Sequence, residues 1–405
     1  MLKKKMMLRK NYPLLKIVNG SLYDLPCPIN LNVFWSFGSM LGLCLMIQFV
    51  SGLILSIHYV PHESLAYKSI YFFLQEYSKG WMLRSIHVNG ATMFFACVYI
   101  HIGRGLYYGS YLDKPVWNIG VVLYFLLMAE AFLGYSLPWG QMSFWGVTVI
   151  TNMFTVLPGM TAESLRFLWG GWVVCGKTLQ RFYSLHFMIP FIMVFVVGLH
   201  LFFLHENGSN NPLGIESDYM CVPFHPFYTV KDIFGFVCFG VVLMYLVCVN
   251  PEMVVSKLNY EPAIYMESPK VGIEPEWYFM FAYSVVRSIP HKTSGVFLMF
   301  MTILILFFVP YFHSGRFRSL SFYPLSQFTF WCCVGVYATM TWLGFQLPKD
   351  PITNLGFYYT FLGFMFIILT PLLTGVWDKI IFYEPVKNFP LVPCNKSKEV
   401  AVMLV

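Results

Sequence analysis

Two long apolar stretches of this chain each carry two histidines at one spacing, and that repetition constrains the fold more than any other feature. Gly80 to Gly109 reads G-W-M-L-R-S-I-H-V-N-G-A-T-M-F-F-A-C-V-Y-I-H-I-G-R-G-L-Y-Y-G, with His87 and His101 14 residues apart. Gln180 to His205 reads Q-R-F-Y-S-L-H-F-M-I-P-F-I-M-V-F-V-V-G-L-H-L-F-F-L-H, with His186 and His200 again 14 apart. Fourteen residues is close to four helical turns, so both imidazoles of a helix leave nearly one face, about 21 Å apart along its axis. Two such helices can close on each other into two stacked bis-imidazole sites. An iron with both axial positions filled by imidazole suits a haem that only moves electrons. A lone histidine in a membrane helix is more often a hydrogen-bonded interior group or a proton relay. Four at a repeated spacing reverse that preference, because nothing in helix packing requires them.

Composition agrees with a lipid environment. The 405 residues are 58% hydrophobic and 11% charged, with a mean hydropathy of +0.63. Soluble domains carry about 25% charged residues, so this chain is read as a polytopic membrane protein. The net charge of +7 is scattered, without a basic stripe, which argues against nucleic acid as a partner. The ten cysteines form no C-x-x-C and read as small buried hydrophobes, not as a disulfide framework or a zinc site. The basic start, M-L-K-K-K-M-M-L-R-K, is not followed by a cleavable apolar core, so the first span is expected to serve as the insertion signal.

Hydropathy predicts an all-α polytopic membrane protein with eight transmembrane helices, because lipid-exposed backbone must satisfy its own hydrogen bonds. The spans expected are roughly Val33–Tyr59, Gly80–Gly109, Trp117–Leu137, Leu179–His205, Ile233–Val249, Gly295–Phe312, Phe322–Leu343 and Tyr358–Trp377. The first four are expected to form a diheme four-helix bundle. The domain reading is a basic N-terminal segment at 1–32, the diheme domain at 33–210, four further helices at 211–378 and a tail at 379–405. Lysines and arginines in Met1–Lys16 put the N-terminus on the inside face. An even span count returns the tail, with Lys387, Lys396 and Lys398, to that face, and places Arg316 and Arg318 there too. Lys257, Lys270 and Lys292 fall outside and weaken the bias. Two outside connections, Pro138–Thr178 and Asn250–Ser294, are too long for turns and too rich in Trp, Phe, Tyr and Pro for disorder.

Orientation sorts the histidines: His87 and His186 lie toward the outside, His101 and His200 toward the inside. Gly38 and Gly52 in the first span are 14 apart, as are Gly120 and Gly134 in the third. Absent side chains at the haem spacing would admit a flat macrocycle near the backbone. Close helix packing through small residues is the alternative. Arg84 and Arg104, with Arg181 a weaker third, could meet anionic propionates or snorkel to the interface. In G-I-E-P-E-W-Y-F-M-F-A-Y, Glu276 sits among aromatics, where desolvation favours the protonated acid. It could take a hydroxyl proton from a hydroquinone, or be an ordinary interfacial glutamate. On the inside, His205 and Ser209 with Lys231 and Asp232 could supply protons to a quinone, or be a helix end beside a Lys–Asp surface pair.

Four motifs then converge. H-V-N-G-A-T-M-F-F-A-C-V-Y-I-H-I-G-R-G-L-Y-Y-G-S-Y, G-Y-S-L-P-W-G-Q-M-S-F-W-G-V-T-V-I-T-N, H-E-N-G-S-N-N-P and P-E-W-Y closely resemble those of the mitochondrial cytochrome b family, over about Asn19 to Trp377. That family supplies the haem-bearing subunit of ubiquinol–cytochrome c oxidoreductase, the cytochrome bc1 complex or complex III. The resemblance implies two haem b groups, low-potential on His87 and His186 and high-potential on His101 and His200. It likens Tyr135, Met142, Gly146, Ile150, Pro275, Glu276, Phe279 and Tyr283 to a ubiquinol-oxidation pocket. It likens His205, Ser209, Lys231 and Asp232 to a ubiquinone-reduction pocket, with Glu276, Tyr283, His205 and Asp232 doing the proton chemistry. It further implies a Q cycle coupled to proton translocation. The implied partners are membrane lipid, an iron–sulfur (Rieske) protein, cytochrome c1, accessory subunits and a dimer of complexes, with a respiratory supercomplex left open. The implied location is the mitochondrial inner membrane, multi-pass, with both termini on the matrix side.

The chain departs from the family pattern at Val173–Lys177 (V-V-C-G-K), at His291, where Asn is usual, and at Glu130, where a small neutral residue is usual. An ionisable group at membrane depth is a functional candidate by default. Glu130 is read either as a neutral acid hydrogen-bonded near the outer haem or quinol pocket, or as an acid facing a neighbouring subunit. Two rival functions are a diheme anchor of another dehydrogenase or ferric reductase, and a channel or carrier whose histidines relay protons. The first would lack P-E-W-Y, which is present here, and the second predicts no haem.

Overall fold

The computed structural model describes residues 7–269 and 272–382; Lys270 and the lysines of the tail (Lys387, Lys396 and Lys398) lie outside the described residues. Eight apolar helices organise the chain: α1 (Phe37–His58), α2 (Gly80–Tyr107), α3 (Lys114–Ser136), α4 (Gly176–Asn207), α5 (Phe224–Cys248), α6 (Lys292–Leu304), α7 (Pro324–Phe345) and α8 (Ile352–Ile381). Their ends follow the local chemistry. Proline near the start of α3 and α7 costs no hydrogen bond there, because the first helical N–H groups have no intrahelical partner. Gly109, at φ 70°, ends α2, and any side chain there would strike the backbone of Arg318.

Seven of these helices, all but α6, are long and apolar enough among the described residues to cross a membrane. The sixth expected span is a composite: α6 tightens into a 3-10 turn at Ile305–Phe307, and a short helix, Val309–Phe312, follows. Pro310 supplies the reason. It has no N–H for the carbonyl four residues back, at Leu306, and its ring crowds that carbonyl. The freed oxygen accepts a hydrogen bond from Trp117 Nε1 at 2.7 Å. The interruption is therefore satisfied by α3 without water.

Helices α1 and α2 pack as a pair, as do α3 and α4, while α5 lies against both α1 and α2. Helices α7 and α8 pack together and enclose the short helix Met280–Ser288. The main core lies between these groups, around Phe95, Trp117, Tyr124, Tyr278 and Leu306. On its far side α4 presents Phe191, Phe195 and Phe202 outward, with Phe195 67% exposed. A helix apolar on its outer face as well as its inner one suits lipid.

The two long connections are ordered and dock on each other. One folds into helices Gln141–Met153 and Ala162–Trp169, the latter started by a Thr161–Ser164 capping box. The other carries short turns at Lys257–Tyr260 and Trp277–Phe279. Gln141 joins them: its side-chain oxygen accepts from Ile264 N–H at 2.9 Å, and its Nε2 donates to the Glu267 carbonyl at 3.2 Å. At the opposite end, β1 (Pro26–Pro28) pairs antiparallel with β2 (Cys221–Pro223), Cys27 opposite Val222, and ties the N-terminal segment to the start of α5.

Candidate functional site: two histidine pairs and a carboxylate pocket

Helices α2 and α4 face each other and bring their histidines together at two levels. At the outer level, named for the expected sidedness, the His87 and His186 ring centroids are 6.2 Å apart with planes at 86°. At the inner level His101 and His200 are 6.5 Å apart with planes at 57°. Two metal–nitrogen bonds of about 2.0 Å plus the radius of each ring place facing imidazole centroids roughly 6 Å apart. Both pairs therefore have the separation of imidazoles that share one metal. Among the described residues no three His, Cys, Asp or Glu side chains cluster as a metal site.

The four glycines do something more specific than sequence reasoning assigned to them. Each faces the Cε1 edge of one imidazole, paired one to one: Gly52 with His87, Gly134 with His186, Gly38 with His101, and Gly120 with His200. They clear space for the imidazoles themselves on the antiparallel neighbours α1 and α3. Close helix packing and room for the imidazoles are one device here.

Hydrogen bonds at the outer level fix the ring tautomers. Ser51 Oγ donates to the Ile47 carbonyl at 2.6 Å, so the lone pair it turns to His87 Nδ1, 2.9 Å away, accepts that ring's proton. His186 Nδ1 meets only acceptors: the Glu130 carbonyl at 3.1 Å and Glu130 Oε1 at 2.7 Å. With Nδ1 protonated, Nε2 of each neutral ring presents a bare lone pair. The inner level differs. Arg104 brings a guanidinium nitrogen to 3.3 Å from His101 Nδ1, and His200 turns to the neutral main chain of Val116 on α3. Ser51 was not singled out from sequence; its position beside Gly52 was the available signal.

One cavity joins the outer pair to the long connections. Its walls include His87, His186, Glu130, Tyr135, Arg84 and Glu276. Tyr135 is hydrogen-bonded to Glu276, and its hydroxyl also accepts from Asn259 Nδ2 at 3.0 Å. Burial pushes the Glu276 carboxyl up to about 7, against the opposing pull of the Tyr135 hydrogen bond. Arg84 lies over the Tyr260 ring at 5.0 Å, whereas Arg181 packs against Gly170, away from these walls. Met142, Gly146 and Ile150 recur every fourth residue along one face of helix Gln141–Met153, with Met142 buried. Pro275 and Phe279 flank Glu276, Phe279 packing edge-on to Phe95, and the Tyr283 hydroxyl donates to the Ile273 carbonyl at 3.4 Å. None of these six lines the cavity.

At the inner end, Lys231 and Asp232 do not pair, which removes the surface-pair reading. Lys231 Nζ donates to the Leu31 carbonyl at 2.8 Å, and the buried Asp232 carboxyl lies against the Ser36 and Ser39 hydroxyls. His205 and Ser209 stand at the end of α4, and no hydrogen bond or ion pair among the described residues joins them to Lys231 or Asp232. His291 caps α6, its Nδ1 accepting from Ser294 N–H at 3.4 Å.

The comparisons agree with this geometry. Residues 22–208 match the family described as cytochrome b/b6/petB, and residues 262–364 match cytochrome b(C-terminal)/b6/petD. A relative from Mytilus edulis, named cytochrome b, is 59% identical over 367 residues, 91% of this chain and 92% of its own length. This chain belongs to the cytochrome b family. A solved structure described as a hyperthermophilic respiratory complex III contains a chain with TM-score 0.84 and 30% identity, covering 91% of this chain and 98% of that one. Membership in the cytochrome b family implies b-type haem, and the paired imidazoles with their matched glycines fit that group.

Proposed function

We propose that this chain is the electron-transfer subunit of a respiratory complex III of bc1 type, acting as part of a ubiquinol–cytochrome c oxidoreductase. The observation that carries the reading is the stacking of two bis-histidine sites, the outer one opening into the same cavity as the half-buried Glu276. His87 and His186 hold a haem b at the outer level, His101 and His200 a second at the inner level, with Arg84 and Arg104 as the nearest cations. When bound, these groups supply one-electron transfer across the membrane between a quinol oxidised outside and a quinone reduced inside.

The chain's own residues handle substrate and protons. Glu276, with a carboxyl poised near neutrality, accepts a hydroxyl proton of ubiquinol on a carboxylate oxygen and hands it outward. Tyr135 and Asn259 fix the orientation of that carboxylate. Aromatic walls, Tyr260 and Tyr278 among them, exclude bulk water from the cavity. Asp232, buried at the inner end of α5, is a proton donor to ubiquinone there, with His205 and Lys231 as the further polar groups of that pocket. On the outer surface Phe167, Trp172 and Val173 are exposed and form an apolar face for an iron–sulfur partner. Cytochrome c1 and accessory subunits complete the assembly in the mitochondrial inner membrane, with both termini on the matrix side.

The test is a reduced-minus-oxidised visible spectrum of the purified complex. Two distinguishable b-type signals are expected. A colourless protein would remove this reading and leave the histidine proton relay as its successor.

A further inference from the structure

We propose that Glu130 is a positioning residue for His186, and that its carboxylate holds the outer haem's reduction potential below that of the inner one. The proposal rests on ligation of haem by His186. Glu130 and Gly134 are four residues apart on α3 and so share one helix face. Gly134 leaves room for the His186 ring, and one turn away Glu130 receives its Nδ1–H with both the side-chain oxygen at 2.7 Å and the main-chain oxygen at 3.1 Å. The carboxyl is 13% exposed and points inward at His186, not outward at a neighbouring subunit. A nitrogen–oxygen distance of 2.7 Å falls in the charge-assisted range of about 2.7–2.9 Å.

An acceptor on Nδ1 draws that proton away from the ring and makes Nε2 a stronger donor to the metal. A stronger donor favours the ferric over the ferrous state, so the potential falls. At the inner level no carboxyl among the described residues is paired with His101 or His200, and His200 meets the neutral main chain of Val116 instead. There the charged neighbour is the Arg104 guanidinium, 3.3 Å from His101 Nδ1, and positive charge favours the reduced state. Carboxylate at one level and guanidinium at the other tilt the two sites apart in the same sense. The remaining outer ligand, His87, has the neutral hydroxyl of Ser51 as its Nδ1 acceptor, so among the described residues the charge bonded to a ring nitrogen at this level is that of Glu130.

Substitution in the whole complex, followed by potentiometric titration of the two b-type spectral signals, tests this. Glu130→Gln keeps an amide oxygen as acceptor and removes the charge. A charge-assisted hydrogen bond is about twice as strong as a neutral one, so the electron equilibrium at the outer signal should shift about tenfold toward the reduced state, about 59 mV for one electron. Glu130→Leu should shift it further, Ser51→Ala less, and the inner signal should stay in place in all three. An outer midpoint unmoved in Glu130→Gln, with both signals retained, overturns the proposal. So does an equal movement of both midpoints, and so does loss of the outer signal in Glu130→Leu while Glu130→Gln titrates as wild type. A wild type without two b-type signals overturns the ligation reading beneath it, a result separate from those three.

Discussion

A β-carbon built on the four histidine-facing glycines would meet its imidazole Cε1 at 2.5 Å from Gly134, 3.1 Å from Gly52, 3.3 Å from Gly120 and 3.6 Å from Gly38. Non-bonded carbons rest at about 3.5–4.0 Å. Alanine at Gly38 therefore adds an ordinary contact, whereas alanine at Gly134 forces the His186 ring to move by about 1 Å. That ring is held by two Glu130 oxygens at Nδ1 and has no free direction of retreat. Over-packing of this kind costs about 1–3 kcal/mol. More damaging, metal–ligand distances tolerate only about 0.2 Å, so a shift five times larger would cost His186 its hold on a shared metal before it unfolded the bundle. Gly134→Ala is expected to lose the outer b-type signal selectively while the inner one remains, and Gly38→Ala to keep both, with Gly52→Ala and Gly120→Ala between. The assay is the difference spectrum, with haem content per protein measured on each purified complex. Equal retention of the outer signal in Gly134→Ala and Gly38→Ala would refute the view that these glycines exist to clear the imidazoles.

Two further outcomes follow from the same structure. Burial raises Glu276 from its ordinary value of 4.5 to about 7, so its proton-accepting form prevails only above that pH. Quinol oxidation should climb as pH rises through about 7, and Glu276→Gln should be slower and flat across that range; a wild-type acid limb near the ordinary value would contradict the assignment. Between those two values the folded chain binds the extra proton, so this group's contribution to stability falls as pH rises through the same window. Trp117→Phe strands the Leu306 carbonyl that Pro310 has already released, at a cost of about 1–3 kcal/mol, read as a lower unfolding temperature. An unchanged transition would mean that the 3-10 turn after α6 is satisfied by other means.

Much of the site was legible because it depends on periodicity. His87 with His101, and His186 with His200, share helix faces through a local geometric rule that needs no knowledge of the fold. The glycines at the same interval were legible as a pattern, though their partners were not. Only antiparallel packing of α1 on α2 and α3 on α4 decides that Gly134 clears His186. The break after α6 had a visible marker in Pro310, but the residue that satisfies the freed carbonyl lies almost 200 positions away and could not be read locally.

Polar choices within the site escaped the sequence for the same reason. Lys231 and Asp232 are neighbours in the chain yet bond to different elements, because successive residues on a helix point about 100° apart. Glu130 was conspicuous as a carboxyl at membrane depth, but its partner could have been lipid, a subunit or a ligand. Composition and the repeated histidine spacing by themselves determined a helical membrane protein with two stacked histidine pairs, since hydropathy and helical period are properties of the chain alone. Tertiary structure decided that one histidine pair has a carboxyl beside it and the other a guanidinium. Such charges act over a few ångströms of low-dielectric interior, where only the packing of separate helices sets which groups meet.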